Sequence, residues 1–130
     1  MRNAPDVRGR RSVATLAVLS LVVTLAACAS FVKNAEVVLQ TAPPAYDTAI
    51  SFAEQNKTQL SHETLLKFEV VRTQFPPAYR AFDSALATYI KSGSKDPADV
   101  KVLMDEVNRL ISQLQVLCVL NGGPNLGAKK

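Results

Sequence analysis

The sequence predicts an all-α protein, a small up-down-up three-helix bundle, and three observations carry that prediction. Beyond residue 30, apolar residues recur three and four positions apart, which is the spacing of one face of an α-helix. A polar stretch at 55–59 and a glycine at 93 divide this pattern into three segments. The apolar pattern also keeps its phase through two Pro-Pro pairs. The predicted helices cover about 31–57, 61–92 and 96–120.

The first two predicted helices contain a concealed repeat. Glu36-Val37-Val38 and Pro43-Pro44-Ala45-Tyr46 recur 33 positions later, and seven of the eleven aligned positions are identical. This period is near that of helical repeat arrays, but the signature residues of such arrays are missing. We interpret the repeat as a local duplication or a convergence.

Each proline pair either kinks a helix or ends it, because proline removes a backbone hydrogen bond and clashes with the preceding turn. The unbroken apolar phase favours kinked helices; five shorter helices are the alternative. The two pairs lie about equally far from residue 60, so they would be level in an antiparallel hairpin. Arg72 is the one interruption of the second apolar stripe. Ser61 is the predicted N-cap of the second helix and Gly93 its end.

The third segment carries the strongest helical signal. Asp96 is the predicted N-cap and Pro97 the first helical residue, with a stop at Asn121-Gly122-Gly123-Pro124. The predicted helix is straight and about 36 Å long. Its apolar face consists of Val100, Leu103, Met104, Val107, Leu110, Ile111, Leu114, Leu117 and Cys118.

The start of the chain has the order of a secretory signal. Four arginines precede an apolar run from Val13 to Ala27, and small residues then precede a cysteine in Leu25-Ala26-Ala27-Cys28. This tetrapeptide resembles the lipobox of bacterial lipoproteins, and the resemblance covers roughly the first thirty positions. It implies cleavage between Ala27 and Cys28, a diacylglyceryl group on the Cys28 sulfur, and acylation of the new amino group.

Other interpretations of this segment remain open. A transmembrane anchor needs about 20 apolar residues, and the run from Val13 to Ala27 is shorter. A plain secretory signal cut elsewhere and twin-arginine export through Arg10-Arg11 are the alternatives. The lipobox interpretation divides the chain into a removed signal (1–27), a lipidated N-terminus (28–30), a helical bundle (31–120) and a flexible tail (121–130).

Removal of the signal changes the charge of the chain. The whole chain has 15 Lys and Arg against 11 Asp and Glu, a net charge of +4. Four of those arginines and Asp6 precede Cys28, so the mature chain is nearly neutral. Nucleic-acid binding needs a basic stripe, and the pattern therefore argues against a nucleic-acid partner. Cys118 would be the only thiol left, either buried or in an intermolecular disulfide.

The sequence offers little chemistry. His62 is the only histidine, which argues against a metal site and against a nucleophile–base pair. We expect no enzyme activity and no cofactor. Tyr46, Tyr79 and Arg72, near the proline pairs, are the candidate binding residues; core packing of the tyrosines and an outward-pointing Arg72 are the alternatives. Lys130 is a candidate for covalent attachment to peptidoglycan.

The expected function is that of a lipid-anchored cell-envelope protein with a non-enzymatic structural or partner-binding role. Its partners would be the membrane, through the lipid, and an envelope protein or peptidoglycan. A small hydrophobic-ligand-binding module and a phage-encoded envelope accessory lipoprotein are the alternatives. Ala29-Ser30 carries no aspartate retention signal. In a cell with two membranes, the lipoprotein resemblance therefore implies the periplasmic face of the outer membrane.

Overall fold

The computed structural model describes the backbone of residues 4–93 and 96–127 and the side chains of residues 30–93 and 96–127. Within these ranges the chain forms three helices and no strands: α1 (Ala4–Gln55), α2 (His62–Ser92) and α3 (Ala98–Leu120). The all-α, three-helix prediction is confirmed, and the alternative of five shorter helices is wrong. Residues 1–34 and 35–130 form two compact units. The fold described below is that of the second unit.

The helix α1 begins far earlier than the predicted residue 31. It continues upstream to Ala4. Between residues 12 and 30 the sequence contains neither proline nor glycine and is rich in alanine and leucine, which favour the helix.

The second helix has the predicted caps. The Ser61 hydroxyl accepts a hydrogen bond from the backbone N–H of Thr64 at 3.1 Å, and Ser61 has extended backbone angles. Gly93 ends the helix in the left-handed conformation, with φ 63°. Both predictions are confirmed.

The third helix begins one residue later than predicted, at Ala98. Pro97 is the N-cap residue, and the Asp96 carboxylate accepts a hydrogen bond from the Ala98 N–H at 3.0 Å. At the other end, Gly123 N–H donates to the Cys118 carbonyl at 2.7 Å and Gly122, with φ 75°, donates to Val119 at 3.3 Å. These two bonds form a Schellman motif, so the predicted stop is confirmed.

The three helices contribute different kinds of side chain to the core. The buried residues of α1 are small, those of α2 are mostly aromatic and those of α3 are mostly aliphatic. Large residues can therefore interdigitate with small ones at the shared core. They are Ala35, Ala42, Ala49 and Ala53 in α1; Phe68, Val71, Phe75, Phe82, Leu86 and Tyr89 in α2; and Val100, Val107, Leu110, Leu114 and Cys118 in α3.

The apolar stripe of α2 passes through Val71, so the predicted interruption at Arg72 is wrong, whereas the alternative of an outward-pointing Arg72 is confirmed. Val71 is buried, whereas Arg72 is exposed. Residues 68, 71 and 75 are spaced by three and four, so the stripe has no gap.

Candidate functional site

The proline pairs lie inside continuous helices. Pro43 and Pro44 are within α1, and Pro76 and Pro77 are within α2. A helical proline has no N–H to give to the carbonyl four residues earlier. The first proline of each pair therefore leaves the carbonyls of Leu39 and Arg72 without their helical donors. The predicted kink at each pair stays a prediction.

Tyrosines of the opposite helix supply donors to these two carbonyls. The Tyr79 hydroxyl of α2 donates to the Leu39 carbonyl of α1 at 2.9 Å. The Tyr46 hydroxyl of α1 donates to the Arg72 carbonyl of α2 at 3.3 Å. Each Pro-Pro-Ala-Tyr copy thus supplies a donor to the carbonyl that the other copy frees. We call Tyr46, Tyr79, Phe75 and these two carbonyls the tyrosine–proline brace.

Phe75 joins the two halves of the tyrosine–proline brace. Its ring stacks on the ring of Tyr46, with centroids 4.4 Å apart and planes 11° from parallel. Its centroid lies 5.7 Å from that of Tyr79. The structure therefore brings the two predicted tyrosines to one aromatic cluster, which adds dispersion and quadrupole attraction to the two hydrogen bonds.

The electrostatics of the brace favour neutral phenols. Burial raises the pKa of Tyr46, and the Asp47 and Glu69 carboxylates raise it further against the lowering effect of the Arg72 cation. Burial and Asp83 raise the pKa of Tyr79. Both hydroxyls therefore keep the proton that they donate.

Arg72 contributes its backbone carbonyl, and not its side chain, to the brace. Its guanidinium points to its own helix, where Nη1 lies 3.0 Å from Oε2 of Glu69. The hydrogen bond to Glu69 is the main reason that the pKa of Arg72 is raised. The side chain is exposed, and its ion pair lies at the surface.

The cavity that Arg72 helps to line does not belong to the brace. It has a volume of about 170 Å³, and its walls include Ile50 of α1 and Leu65 of α2 but none of the brace's aromatic rings. This volume is below the usual range of small-molecule sites, about 300–1,000 Å³. The contacts of Tyr46 and Tyr79 themselves account for the hydrogen bonds to the two carbonyls that the prolines free.

A larger apolar groove lies between α2 and α3, away from the predicted site residues. Its volume is about 580 Å³, and its walls include Lys67 and Val70 of α2 and Arg109, Val116 and Leu120 of α3. Val70 is 52% exposed, Val116 55% and Leu120 76%. We call this space the α2–α3 groove. These three exposed apolar side chains make the α2–α3 groove a candidate binding surface.

The corresponding groove between α1 and α3 is bordered by residues 125–127. This space has a volume of about 770 Å³ and is lined by Ala42, Ala45 and Ile111 among others, with Leu126 at one side. The Gln115 side-chain oxygen accepts from the N–H groups of Leu126 at 2.6 Å and Gly127 at 3.1 Å. Residues 125–127 are therefore tied to α3. The flexibility of the tail as a whole stays a prediction.

The other residues singled out in the sequence lie away from the brace or outside the described residues. Cys118 is a free, fully buried thiol, and burial raises its pKa. His62 is exposed at the start of α2. The side chains of Ala27 and Cys28 lie outside the described residues, and so does Lys130.

The described part of the chain contains no group of three or more His, Cys, Asp or Glu side chains that could hold a metal ion. In the same ranges, no helix is both long enough and apolar enough to cross a membrane.

Comparisons with known proteins give no family for this chain: no family model, curated protein or solved structure matches it.

Sequence reasoning found the tyrosines but missed their role. The signal was available, because each tyrosine stands three residues after the first proline of its pair and a helical proline frees the carbonyl four residues before it. The α2–α3 groove and the Gln115 contact had no such signal. Both depend on how neighbouring helices are packed.

Proposed function

We propose that this chain is a lipid-anchored cell-envelope protein whose helical bundle has a non-enzymatic, partner-binding role. The observation that carries the proposal is Leu25-Ala26-Ala27-Cys28 after a basic start and an apolar run. Stable anchoring by lipid takes two or more chains, and lipoprotein processing supplies them at the new N-terminus.

The other cysteine supports the assignment of the lipid to Cys28. The chain contains two cysteines. Cys118 is fully buried, and its raised pKa disfavours the reactive thiolate. Cys28 is therefore the better acceptor of a lipid group.

Metabolic labelling with a palmitate analogue tests the proposal in a bacterium that processes lipoproteins. We expect label on the wild-type chain and on Cys118→Ser, and none on Cys28→Ser. The Cys118→Ser variant is the matched control, because it removes the same thiol from a position that burial protects. Label that persists in Cys28→Ser would contradict the proposal.

A module for a small hydrophobic ligand is the second candidate, and the α2–α3 groove favours it. The volume of about 580 Å³ is within the usual range for small-molecule sites. Purification from envelope extracts discriminates between the two candidates. A stoichiometric protein partner favours the first, and a co-purified lipid without a protein partner favours the second.

A further inference from the structure

We propose that residues 124–127 form a strap that opens and closes as a unit on the folded bundle, and that the Gln115 side chain holds it closed. The C-terminal strap, as we call this segment, follows the Schellman motif at the end of α3. Residues 125–127 lie beside both α1 and α3. This inference goes beyond the function proposed above and does not depend on the lipid at Cys28.

The residue before the strap is fixed by close packing. The Gly123 N–H donates to the Cys118 carbonyl at 2.7 Å. A Cβ atom added to Gly123 would lie 2.8–2.9 Å from three carbons of the Phe52 ring of α1, so any larger residue would have to displace that ring. Gly123 therefore joins the end of α3 to α1 and gives the strap a fixed base.

Hydrogen bonds to Gln115 of α3 hold the strap closed. Gln115 Nε2 donates to Oδ1 of Asn125 at 2.6 Å. Gln115 Oε1 accepts from the N–H groups of Leu126 at 2.6 Å and Gly127 at 3.1 Å. Asn125 Oδ1 also accepts from the Gly127 N–H at 3.1 Å. Two side-chain amides and two backbone N–H groups thus form one network, and removal of the Gln115 amide takes away three of its four bonds.

The closed strap is close in free energy to an open one. Closing it fixes the backbone of residues 125–127, and the entropy lost per residue is about as large as the net gain from one hydrogen bond. Asn125 and Gly127 are exposed and Leu126 is half-buried, so apolar burial adds little. The base at Gly123 has the close packing that the strap lacks. We therefore expect the strap to open while the helices and the Schellman motif stay formed.

Opening changes how far Lys130 can reach from the bundle. Each residue of a chain spans at most about 3.6 Å, so Lys130 lies within about 11 Å of Gly127 in any conformation. When the strap is closed, Lys130 stays within that distance of the point where Gln115 holds the chain. When the strap opens, the last fixed residue is Gly123, and the limit grows to about 25 Å. The strap thus sets the distance at which Lys130 can meet a partner.

Hydrogen exchange of single backbone amides, measured by NMR on the full-length chain, tests the inference. In the wild-type chain, the Leu126 and Gly127 amides should exchange faster than the Gly123 amide, because the strap opens and its base does not. In Gln115→Ala, the same two amides should exchange about tenfold faster than in the wild type, because their acceptor is gone. The Gly123 amide should keep its rate.

Gln113→Ala is the matched control. It removes an exposed glutamine from the same helix, two positions from Gln115, and should leave all of these rates unchanged. The amide of the buried Leu114 reports on the core and should keep its rate in both variants.

Spin labels at Gln40→Cys and Lys130→Cys measure the reach. Gln40 is exposed on α1. A Cys28→Ser background leaves the buried Cys118 as the only other thiol and separates the result from the fate of the lipid anchor. Adding Gln115→Ala should broaden the distribution of distances between the labels.

Four results would each overturn the inference. They are equal protection of the strap and its base in the wild type, unchanged strap rates in Gln115→Ala, the same acceleration in the Gln113→Ala control or at the core amide, and an unchanged distribution of distances.

Discussion

The two copies of the repeat differ in one informative way. The copies are identical at seven of eleven positions, which include the prolines and the tyrosines. Each tyrosine hydroxyl donates to the carbonyl that the first proline of the other copy frees. The largest difference in side-chain volume is at Ala42 and its counterpart Phe75, and both residues are buried. The identical residues thus make the reciprocal hydrogen bonds. The difference at Ala42 and Phe75 gives the α1–α2 pair one small buried residue and one large aromatic ring. Two phenylalanines would overfill the core, and two alanines would leave a cavity.

The largest expected effect comes from removing that ring. Phe75→Ala should lower the free energy of unfolding by about 3–5 kcal/mol, because the buried ring leaves a cavity and the two tyrosines lose their stacking partner. Urea denaturation measures the change. Val102→Ala, at a position 67% exposed, is the control and should change the free energy by less than about 0.5 kcal/mol.

Exchanging the residues at positions 42 and 75 tests whether the two side chains occupy one shared space. Ala42→Phe alone should cost about 1–3 kcal/mol by overfilling the core. Combined with Phe75→Ala, it should cost less than the sum of the two single variants, because the new ring then occupies space that the old one leaves. Strictly additive costs would show that positions 42 and 75 do not share one space.

The smallest expected effects on the free energy of unfolding come from removing the two tyrosine hydroxyls of the brace one at a time. Tyr79→Phe should cost about 1 kcal/mol, since it leaves the Leu39 carbonyl without a donor in a partly buried place. Tyr46→Phe should cost only about 0.5 kcal/mol, because its bond is longer and exposed, so water can replace the hydroxyl. Urea denaturation of both variants compares them directly. A larger cost for Tyr46→Phe, or no cost for either variant, would contradict the reciprocal brace.

Much of the fold could be predicted because it depends on local rules. The periodicity of apolar residues located all three helices, and Ser61 and Gly93 marked the limits of α2 in the sequence as they do in the structure. The unbroken phase across the proline pairs correctly indicated continuous helices. The start of α1 was not predicted, because the apolar run that resembles a secretory signal is also a helix-forming sequence.

The candidate sites depend on packing between helices, and there the sequence was less informative. The partner of each tyrosine depends on the axial alignment of α1 and α2, which the equal distance of the two proline pairs from residue 60 indicated, although the hydrogen bonds themselves were not predicted. The position of Val71 in the core follows from the three- and four-residue spacing of Phe68, Val71 and Phe75. The α2–α3 groove arises because Val70, Val116 and Leu120 stay exposed on two helices far apart in sequence. In the sequence these residues are hard to distinguish from buried ones.

The proposed anchor and the proposed groove belong to different parts of the chain, and the proposed lipid at Cys28 would hold the bundle at a membrane. Intact-mass spectrometry of the protein purified from the cell envelope tests that claim most directly. We expect a chain that begins at Cys28 and carries the added mass of a diacylglyceryl group and an amide-linked acyl chain. A chain that begins at another residue, or one that begins at Cys28 without lipid, would contradict it.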